Sequence, residues 1–253
     1  MRNDSEKNVG TLYGIGIGPG GPGLITVKGM EIIRQTAEKG GRIYVPEGKF
    51  QNGSLAKGIL ERSGTDISAW IELEFPMTTN KSELADKWKA AAENISPILR
   101  EGRDAVFLTL GDPSVYSTWI YLRRELVAAY PEIVCITVPG IQTANAAAAS
   151  HNVPLLEGKE KLALLPTPDN PEELKPLLRL FDTIVLYKAG HRFPALKNFL
   201  IEEGLASSAW YTERAGLPDE LLSDNLQKLP DTASGYLSTI IIKTGNKQGG
   251  GNS

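Results

Sequence analysis

Short apolar runs alternate with longer segments of helical pattern along most of the chain, and this alternation constrains the fold more than any other feature. The apolar runs predict strands at Thr11–Ile17, Arg42–Val45, Ala69–Leu73, Asp104–Leu110, Ile133–Val138, Lys161–Leu165, Thr183–Tyr187, Ser208–Thr212 and Leu237–Lys243. The segments between them predict helices at Leu24–Ala37, Ser54–Arg62, Lys81–Arg100, Val115–Tyr130, Ile141–Ser150, Pro171–Leu180, Phe193–Glu202 and Leu217–Gln227. This rhythm is typical of α/β proteins in which helices cover both faces of a mostly parallel sheet.

The chain of 253 residues is long enough for two α/β domains. A long predicted helix ends at Pro131, so we expect an amino-terminal domain over 10–131 and a carboxy-terminal domain over 132–244. The polar start, 1–9, and the glycine-rich end, 245–253, are expected to be flexible tails.

Composition excludes several classes of function. The net charge of -3 leaves no basic excess for nucleic acid. The single cysteine, Cys135, cannot form an internal disulfide, which fits a reducing compartment. No apolar stretch approaches the ~18 residues that span a membrane. We therefore expect a cytoplasmic protein that binds neither nucleic acid nor membranes.

Two glycine-containing turns each follow an apolar run. The first spans Gly14–Gly23 and the second spans Gly111–Ser114. In open α/β sheets, ligands bind beyond the carboxyl ends of the strands. The sequence therefore predicts that both turns line one crevice.

Each turn has more than one interpretation. Gly16-x-Gly18-x-x-Gly21 matches a dinucleotide-binding pattern, but Pro19 interrupts it and removes an N–H that a phosphate would need. The glycine-rich turn could also simply connect a strand to a helix. In the second turn, Asp112 could accept hydrogen bonds from a ligand or cap the next helix.

Several segments together resemble the tetrapyrrole methylase family, the S-adenosylmethionine-dependent enzymes of corrin and sirohaem synthesis. The matching segments, which span about residues 10–244, are Tyr13–Gly29, Gly111–Trp119, Val138–Thr143, Thr183–Lys188, Glu213–Gly216 and Tyr236–Ile242. Ser117-Thr118-Trp119, Phe75-Pro76-Met77 and the Tyr236–Ile242 strand resemble the subfamily that methylates C20 of precorrin-2 or cobalt-factor II.

This resemblance implies two α/β lobes with S-adenosyl-L-methionine held in the cleft between them, a tetrapyrrole substrate and a homodimer. It also implies donor contacts at Pro19, Gly111, Asp112, Val115, Gln142, Thr143, Tyr187, Arg214, Ala215, Ser238 and Thr239. Many members of the family have Ser or Thr at the position of Gln142.

Titratable and polar side chains at the predicted strand ends are candidates for handling the substrate or a proton. These catalytic candidates are Asp112, Lys188 and Tyr236, and each could equally cap, pack or be solvated. The candidates for binding the substrate carboxylates are Arg123, Arg124, Arg192 and Arg214. His151, His191 and Cys135 lack metal-ligand spacing, so no protein-bound metal is expected.

The sequence leaves other functions open. Within the family, the target could be another tetrapyrrole carbon, a ribosomal RNA ribose or the diphthamide precursor, although the acidic chain disfavours RNA. Outside it, the alternatives are a nicotinamide-dependent oxidoreductase and a nucleotide-sensing module without catalysis.

Overall fold

A computed structural model describes residues 9–47, 54–65, 70–75, 80–229 and 237–245. The chain divides into two compact units that meet in sequence between Gln142 and Thr143. Each unit contains one five-stranded sheet. Tyr236, Pro76, Met77 and most of the two predicted tails lie outside the described residues.

The first unit contains a fully parallel sheet. Its strands are β1 Thr11–Gly16, β2 Arg42–Pro46, β3 Trp70–Leu73, β4 Ala105–Thr109 and β5 Val134–Val138. Its helices are α1 Val27–Glu38, α2 Leu55–Arg62, α3 Lys81–Arg100 and α4 Thr118–Ala129. The strand order is β3-β2-β4-β1-β5, and every neighbouring pair is parallel.

Both faces of this sheet are buried, as the strand and helix rhythm predicts. Leu12 and Phe107 pack with residues of α3 and α4 on one face. Ile15 and Leu108 pack with residues of α1 and α2 on the other. Since β1 and β4 point alternate side chains to opposite faces, these central strands carry apolar residues on both faces.

The longest helix, α3, has the predicted bounds, and a capping residue marks its start. Helix α3 begins after Asn80, whose side chain accepts hydrogen bonds from the backbone N–H groups of Ser82 and Glu83 at 3.1 and 3.5 Å. These bonds satisfy donors that the first helical turn leaves without a partner.

The second unit contains a mixed sheet. Its strands are β6 Leu162–Pro166, β7 Thr183–Tyr187, β8 Ala209–Glu213, β9 Leu221–Ser223 and β10 Ser238–Lys243. Its helices are α5 Thr143–Ser150, α6 Lys175–Leu180 and α7 Phe193–Glu202. The strand order is β6-β7-β10-β8-β9.

The expectation of a mostly parallel sheet is wrong for this unit. Only β6 and β7 pair in parallel, whereas β10 is antiparallel to both β7 and β8, and β9 is antiparallel to β8. A parallel pair needs a crossover of a dozen or more residues. The connection from β8 to β9 is short and contains no α-helix, so these strands form an antiparallel pair.

The helix predicted at Leu217–Gln227 is also wrong. Leu217 and Leu221, like Leu222 and Leu226, are four residues apart as in a helix, but the segment forms β9 and a short 3-10 turn at Leu226–Lys228. The backbone of β9 pairs with β8, with Glu213 opposite Leu221. Pairing with a distant strand therefore overrides the local pattern.

The change from one unit to the next occurs later in the sequence than the expected division near Pro131. Strand β5, at Val134–Val138, pairs in parallel with β1 and so belongs to the first sheet. The segment after Pro131 therefore extends the first unit up to Gln142.

Candidate functional site

Three glycines bring the carboxyl ends of β1, β4 and β5 into contact. A Cβ atom added at Gly16 would lie 2.5 Å from the Gly111 carbonyl oxygen and 2.8 Å from the Gly140 Cα. A Cβ added at Gly140 would lie 2.3 Å from the same oxygen. Any side chain at Gly16 or Gly140 would therefore push these loops apart.

The two glycine turns lie side by side at the carboxyl ends of β1 and β4. Gly111, in the left-handed region at φ 67°, donates its N–H to the Gly18 carbonyl at 2.9 Å. Gly18 donates in return to the Gly111 carbonyl at 3.3 Å, and Ile17 donates to Thr109 at 3.0 Å.

These hydrogen bonds disfavour a dinucleotide site. To bind a phosphate, this loop would need backbone N–H groups that are not already hydrogen-bonded within the protein. The N–H groups of Ile17 and Gly18 are already bonded to the strand-end backbone, and Pro19 has none. The dinucleotide pattern in the sequence thus corresponds to a loop in which two of the backbone donors are already occupied and Pro19 offers none.

Arg62, at the end of α2, is hydrogen-bonded to the glycine-rich loop. Its Nη2 donates a hydrogen bond of 2.8 Å to the Gly20 carbonyl oxygen. Pro19 and Gly20 are both buried. Sequence reasoning missed this contact because Arg62 carries no motif and lies far from the loop in the chain.

Asp112 joins the turn after β4 to the loop after β5. Its Oδ2 accepts a hydrogen bond of 3.0 Å from the Gly140 N–H, and its Oδ1 accepts one of 2.8 Å from the Ser114 N–H. The Ser114 hydroxyl also donates to Oδ1. The position of Gly140, two residues after a predicted strand, was the available signal for this third loop.

The environment of Asp112 favours its charged form. Desolvation alone would raise the pKa of this carboxyl, but the hydrogen bonds from the Ser114 hydroxyl, the Gly140 N–H and the Ser114 N–H together lower it. Asp112 is therefore an ionised carboxylate at neutral pH. Its geometry gives it a positioning role, while its predicted part in proton handling stays a prediction.

Ser117 and Trp119, which follow this turn, are buried in the core. The Ser117 hydroxyl caps α4 by accepting from the Trp119 N–H at 3.1 Å, and it bonds the Thr109 hydroxyl at 2.9 Å. The Trp119 indole is buried, stacks near Phe107 with centroids 6.2 Å apart, and donates to Thr137 Oγ1 at 2.9 Å. The Ser-Thr-Trp segment thus anchors the helix that follows the turn.

In the second unit, strand pairing places several of the predicted contacts of the methyl donor in one row. Thr239 lies opposite Tyr187 of β7 and opposite Thr212 of β8. Ser238 lies opposite Glu213. The carboxyl ends of β7 and β8 and the amino end of β10 therefore form a single edge of the sheet.

Left-handed turns continue the same edge. Lys188 and Arg214, at φ 59° and 58°, directly follow β7 and β8. The Lys188 N–H donates to the Ser238 carbonyl at 3.1 Å, and the Arg214 N–H donates to the Leu237 carbonyl at 3.2 Å. The neighbouring Ala215 is buried. The structure thus places these predicted residues together.

The Thr239 hydroxyl has the features expected of a ligand contact. Thr239 is 1% exposed, and its Oγ1 has no hydrogen-bond partner among the described residues. A buried hydroxyl without a partner is costly, so such groups commonly indicate a ligand or an ordered water.

His151 is a neighbour of this row that the sequence did not indicate. Its Nε2 lies 3.0 Å from the Thr212 hydroxyl and 3.1 Å from the Tyr211 carbonyl oxygen. Burial lowers the pKa of His151, and the contact with Tyr211 and the charges of Glu220 and Asp224 only partly offset it. A neutral imidazole thus links the end of α5 to β8.

The remaining predicted residues are less informative. Val115, Gln142 and Thr143 are half-buried, and Thr143 begins α5. The four candidate arginines differ in their surroundings. Arg123 and Arg124 are exposed on α4, Arg192 Nε lies 2.5 Å from Asp169 Oδ1, and Arg214 Nε lies 2.8 Å from Asp219 Oδ1.

The described residues contain neither a cluster of metal-binding side chains nor a membrane-spanning helix. No group of three His, Cys, Asp or Glu side chains there could hold a metal ion. Within the same ranges, no helix has the length and apolar character to cross a membrane.

Comparisons with known proteins agree with the resemblance noted in the sequence. The model of the Tetrapyrrole (Corrin/Porphyrin) Methylases matches residues 11–230. A probable cobalt-precorrin-2 C(20)-methyltransferase of Methanocaldococcus jannaschii is 32% identical, over 94% of this chain and 98% of the relative. The cobalt-precorrin-2 C(20)-methyltransferase of Salmonella typhimurium is 31% identical, over 94% and 97%.

Solved structures agree in fold. A cobalt precorrin-4 methyltransferase, CbiF, has a TM-score of 0.66 at 20% identity, over 92% of this chain and 94% of that one. A uroporphyrin-III C-methyltransferase from Thermus thermophilus, complexed with S-adenosylhomocysteine, has a TM-score of 0.63 at 18% identity, over 92% and 97%. From its family match, its relatives and its fold, the chain belongs to the tetrapyrrole methylases.

Proposed function

We propose that this chain is an S-adenosylmethionine-dependent methyltransferase that methylates C20 of precorrin-2 or cobalt-factor II in cobalamin biosynthesis. The observation that carries this proposal is the similarity, over nearly the whole of both chains, to relatives named for C(20) methylation of cobalt-precorrin-2. A precorrin-2 C(20)-methyltransferase of Sinorhizobium is 28% identical over 94% of this chain, which supports the same carbon.

We infer that the methyl donor contacts the residues that the family resemblance implies, which are Pro19, Gly111, Asp112, Val115, Gln142, Thr143, Tyr187, Arg214, Ala215, Ser238 and Thr239. The unpartnered, buried Thr239 hydroxyl fits this assignment, since a polar group of a bound donor would satisfy it.

The chain's own contribution to the reaction is placement and shielding. When bound, S-adenosylmethionine supplies an electrophilic methyl group on a positive sulfonium. A reduced tetrapyrrole is electron-rich at its meso carbons, so the protein needs no strong base to create the nucleophile. The bonded loops at Gly18 and Gly111 provide a fixed wall, and fixed placement of reactants lowers the barrier.

Three residues are our candidates for handling the substrate or a released proton: Asp112, Lys188 and Tyr236. Asp112 is held as a carboxylate by its hydrogen bonds. Lys188 is exposed beside Tyr187, at the end of β7. Exposed lysine at this edge could attract the carboxylates of a tetrapyrrole.

One further relative supports an alternative target carbon. A precorrin-4 C(11)-methyltransferase of Rhodococcus erythropolis is 27% identical over 93% of this chain. Methylation at another tetrapyrrole carbon is therefore the second candidate.

The deciding experiment is incubation with donor labelled in the methyl group and with precorrin-2 or cobalt-factor II in parallel. We expect label at C20, located by mass spectrometry and NMR. Label at another carbon would contradict the C20 assignment. Comparing turnover of the two substrates also decides whether the tetrapyrrole that this enzyme methylates already carries cobalt. Calorimetry completes the test, because binding of NADH without binding of S-adenosylhomocysteine would contradict methyl transfer altogether.

We also propose that the enzyme is a cytoplasmic homodimer that needs neither nucleic acid nor a protein-bound metal. The single cysteine and the net charge of -3 support a reducing compartment and no nucleic-acid partner. Sedimentation equilibrium tests the dimer directly, and a monomer at micromolar concentration would contradict it.

A further inference from the structure

Tyr116 has a backbone conformation that is costly for its residue type. It lies in the loop between β4 and α4 at φ 48°, and 51% of its surface is exposed. Bulky residues seldom adopt a left-handed conformation, because the Cβ atom approaches the following carbonyl oxygen. A residue this exposed does not recover the cost by filling the core.

Hydrogen bonds on both sides of Tyr116 hold this conformation in place. Before it, Ser114 N–H donates to Asp112 Oδ1 at 2.8 Å, and Val115 N–H donates to the Asp112 carbonyl at 3.3 Å. After it, the Ser117 hydroxyl bonds the buried Thr109 hydroxyl at 2.9 Å and caps α4. The loop is therefore anchored at each end, and the left-handed turn falls between the two anchors.

The other left-handed residues suggest that this cost relates to function. Of the five non-glycine residues with positive φ among those described, Lys188, Arg214 and Leu237 lie at strand ends beside proposed donor contacts. Tyr116 is likewise adjacent to Val115. Backbone strain of this kind concentrates at ligand-binding sites, where it fixes a side chain that the ligand needs.

We propose that Tyr116 is a substrate-contacting residue whose aromatic ring packs against the conjugated pyrrole rings of the tetrapyrrole and helps to select this substrate. The proposal rests on the proposed function. A tyrosine offers a large, rigid apolar face at a low cost in side-chain entropy, which suits a flat ligand. A left-handed turn fixed at both ends pre-organises that face before the substrate arrives.

The test compares loss of the ring with loss of the hydroxyl alone. Tyr116→Gly removes the ring and relieves the left-handed strain, whereas Tyr116→Phe keeps the ring and loses only the hydroxyl. The matched control is Tyr121→Ala, which removes a tyrosine that is 42% exposed on α4. For each variant, steady-state kinetics with the tetrapyrrole that the wild type methylates, calorimetry with S-adenosylhomocysteine and the Tm are measured.

We expect Tyr116→Gly to raise the substrate KM by about tenfold or more, as loss of an aromatic contact should. Its S-adenosylhomocysteine affinity should stay within about twofold of the wild-type value. Its Tm should be unchanged or higher, because glycine adopts a positive φ without steric cost. Tyr116→Phe and Tyr121→Ala should keep the wild-type KM within about twofold.

Three results would overturn the proposal. The first is a wild-type KM in Tyr116→Gly. The second is a KM increase accompanied by an equal loss of S-adenosylhomocysteine affinity or by a lower Tm, because Tyr116 would then only support the loop. The third is a wild-type enzyme that methylates no tetrapyrrole, which defeats the proposed function as well. Only in the first two cases does the proposed function survive.

Discussion

The backbone of Gly14 lies directly against the indole of Trp119: a Cβ atom added at Gly14 would come within 2.2 Å of two indole ring carbons. Gly14 belongs to β1, and the Trp119 side chain is buried at the start of α4. The absence of a side chain on the strand thus leaves the space that the indole fills. The glycine-rich segment and the Ser-Thr-Trp segment are therefore packed as one unit.

Gly14→Ala should destabilise the first unit, because the indole and the strand cannot both keep their positions. We expect a loss of about 1–3 kcal/mol in the free energy of unfolding, typical of an overpacked core. Denaturant unfolding measures it. The control is Gly23→Ala, since a Cβ there would meet no atom within 4 Å. Equal stability of the two variants would contradict the tight contact.

Asp112→Ala should reduce methyl transfer by more than about tenfold, because the loops after β4 and β5 lose their shared acceptor. Asp112→Asn should retain part of the activity, since its amide oxygen can still accept from one N–H group. Turnover and S-adenosylhomocysteine affinity are measured for both. Near-normal turnover of Asp112→Ala would leave Asp112 with no more than a capping role.

Thr239→Val should weaken binding of S-adenosylhomocysteine by about tenfold, the loss expected for one hydrogen bond in a buried site. Stability should be unchanged or higher, because the Thr239 hydroxyl has no partner among the described residues. Thr212→Val is the contrast, since it removes a hydroxyl bonded to His151 and should lower the Tm. Wild-type affinity in Thr239→Val would remove it from the donor site.

Arg62→Ala should loosen the glycine-rich loop, since it removes the hydrogen bond of 2.8 Å to the Gly20 carbonyl. We expect faster amide hydrogen exchange in the segment around Gly20, with a stability loss of only about 0.5–1.5 kcal/mol. Arg34→Ala, on the exposed side of α1, serves as the control. Unchanged amide hydrogen exchange in Arg62→Ala would show that the loop keeps its conformation without this hydrogen bond.

His151 should make the stability of the second unit depend on pH. Burial lowers its pKa below the ordinary value of 6.5, so the unfolded chain binds a proton more readily than the folded chain. The stability contribution is therefore complete above pH 6.5 and is lost as the pH falls towards the folded pKa. The Tm of the wild type should drop more steeply than that of His151→Gln between about pH 7 and pH 5. Parallel curves would contradict this linkage.

Local sequence signals predicted much of the fold. All nine predicted strands are present, within a residue or two at their ends, and α3 has the predicted bounds at Lys81–Arg100. Periodicity and capping act over a few residues, so they can be recognised without the rest of the chain. The two turns could also be placed together, because parallel strands end at the same edge of a sheet.

Pairing between distant segments could not be predicted from such local signals. The segment Leu217–Gln227 has leucine pairs spaced four residues apart, yet Leu221–Ser223 forms a strand because its backbone pairs with β8. The orientation of β10, antiparallel to both neighbours, likewise depends on its partners. No short window of residues contains this information.

The sequence by itself determined the family, the alternation of strands and helices, and the positions of the two glycine turns, because each depends on residue type and spacing along the chain. Only the tertiary structure decided the partners of those residues. Asp112 bonds the N–H of Gly140, twenty-eight residues away, and Arg62 bonds the Gly20 carbonyl. These contacts form when sheet pairing brings loop ends together, so their geometry exists only in the folded chain.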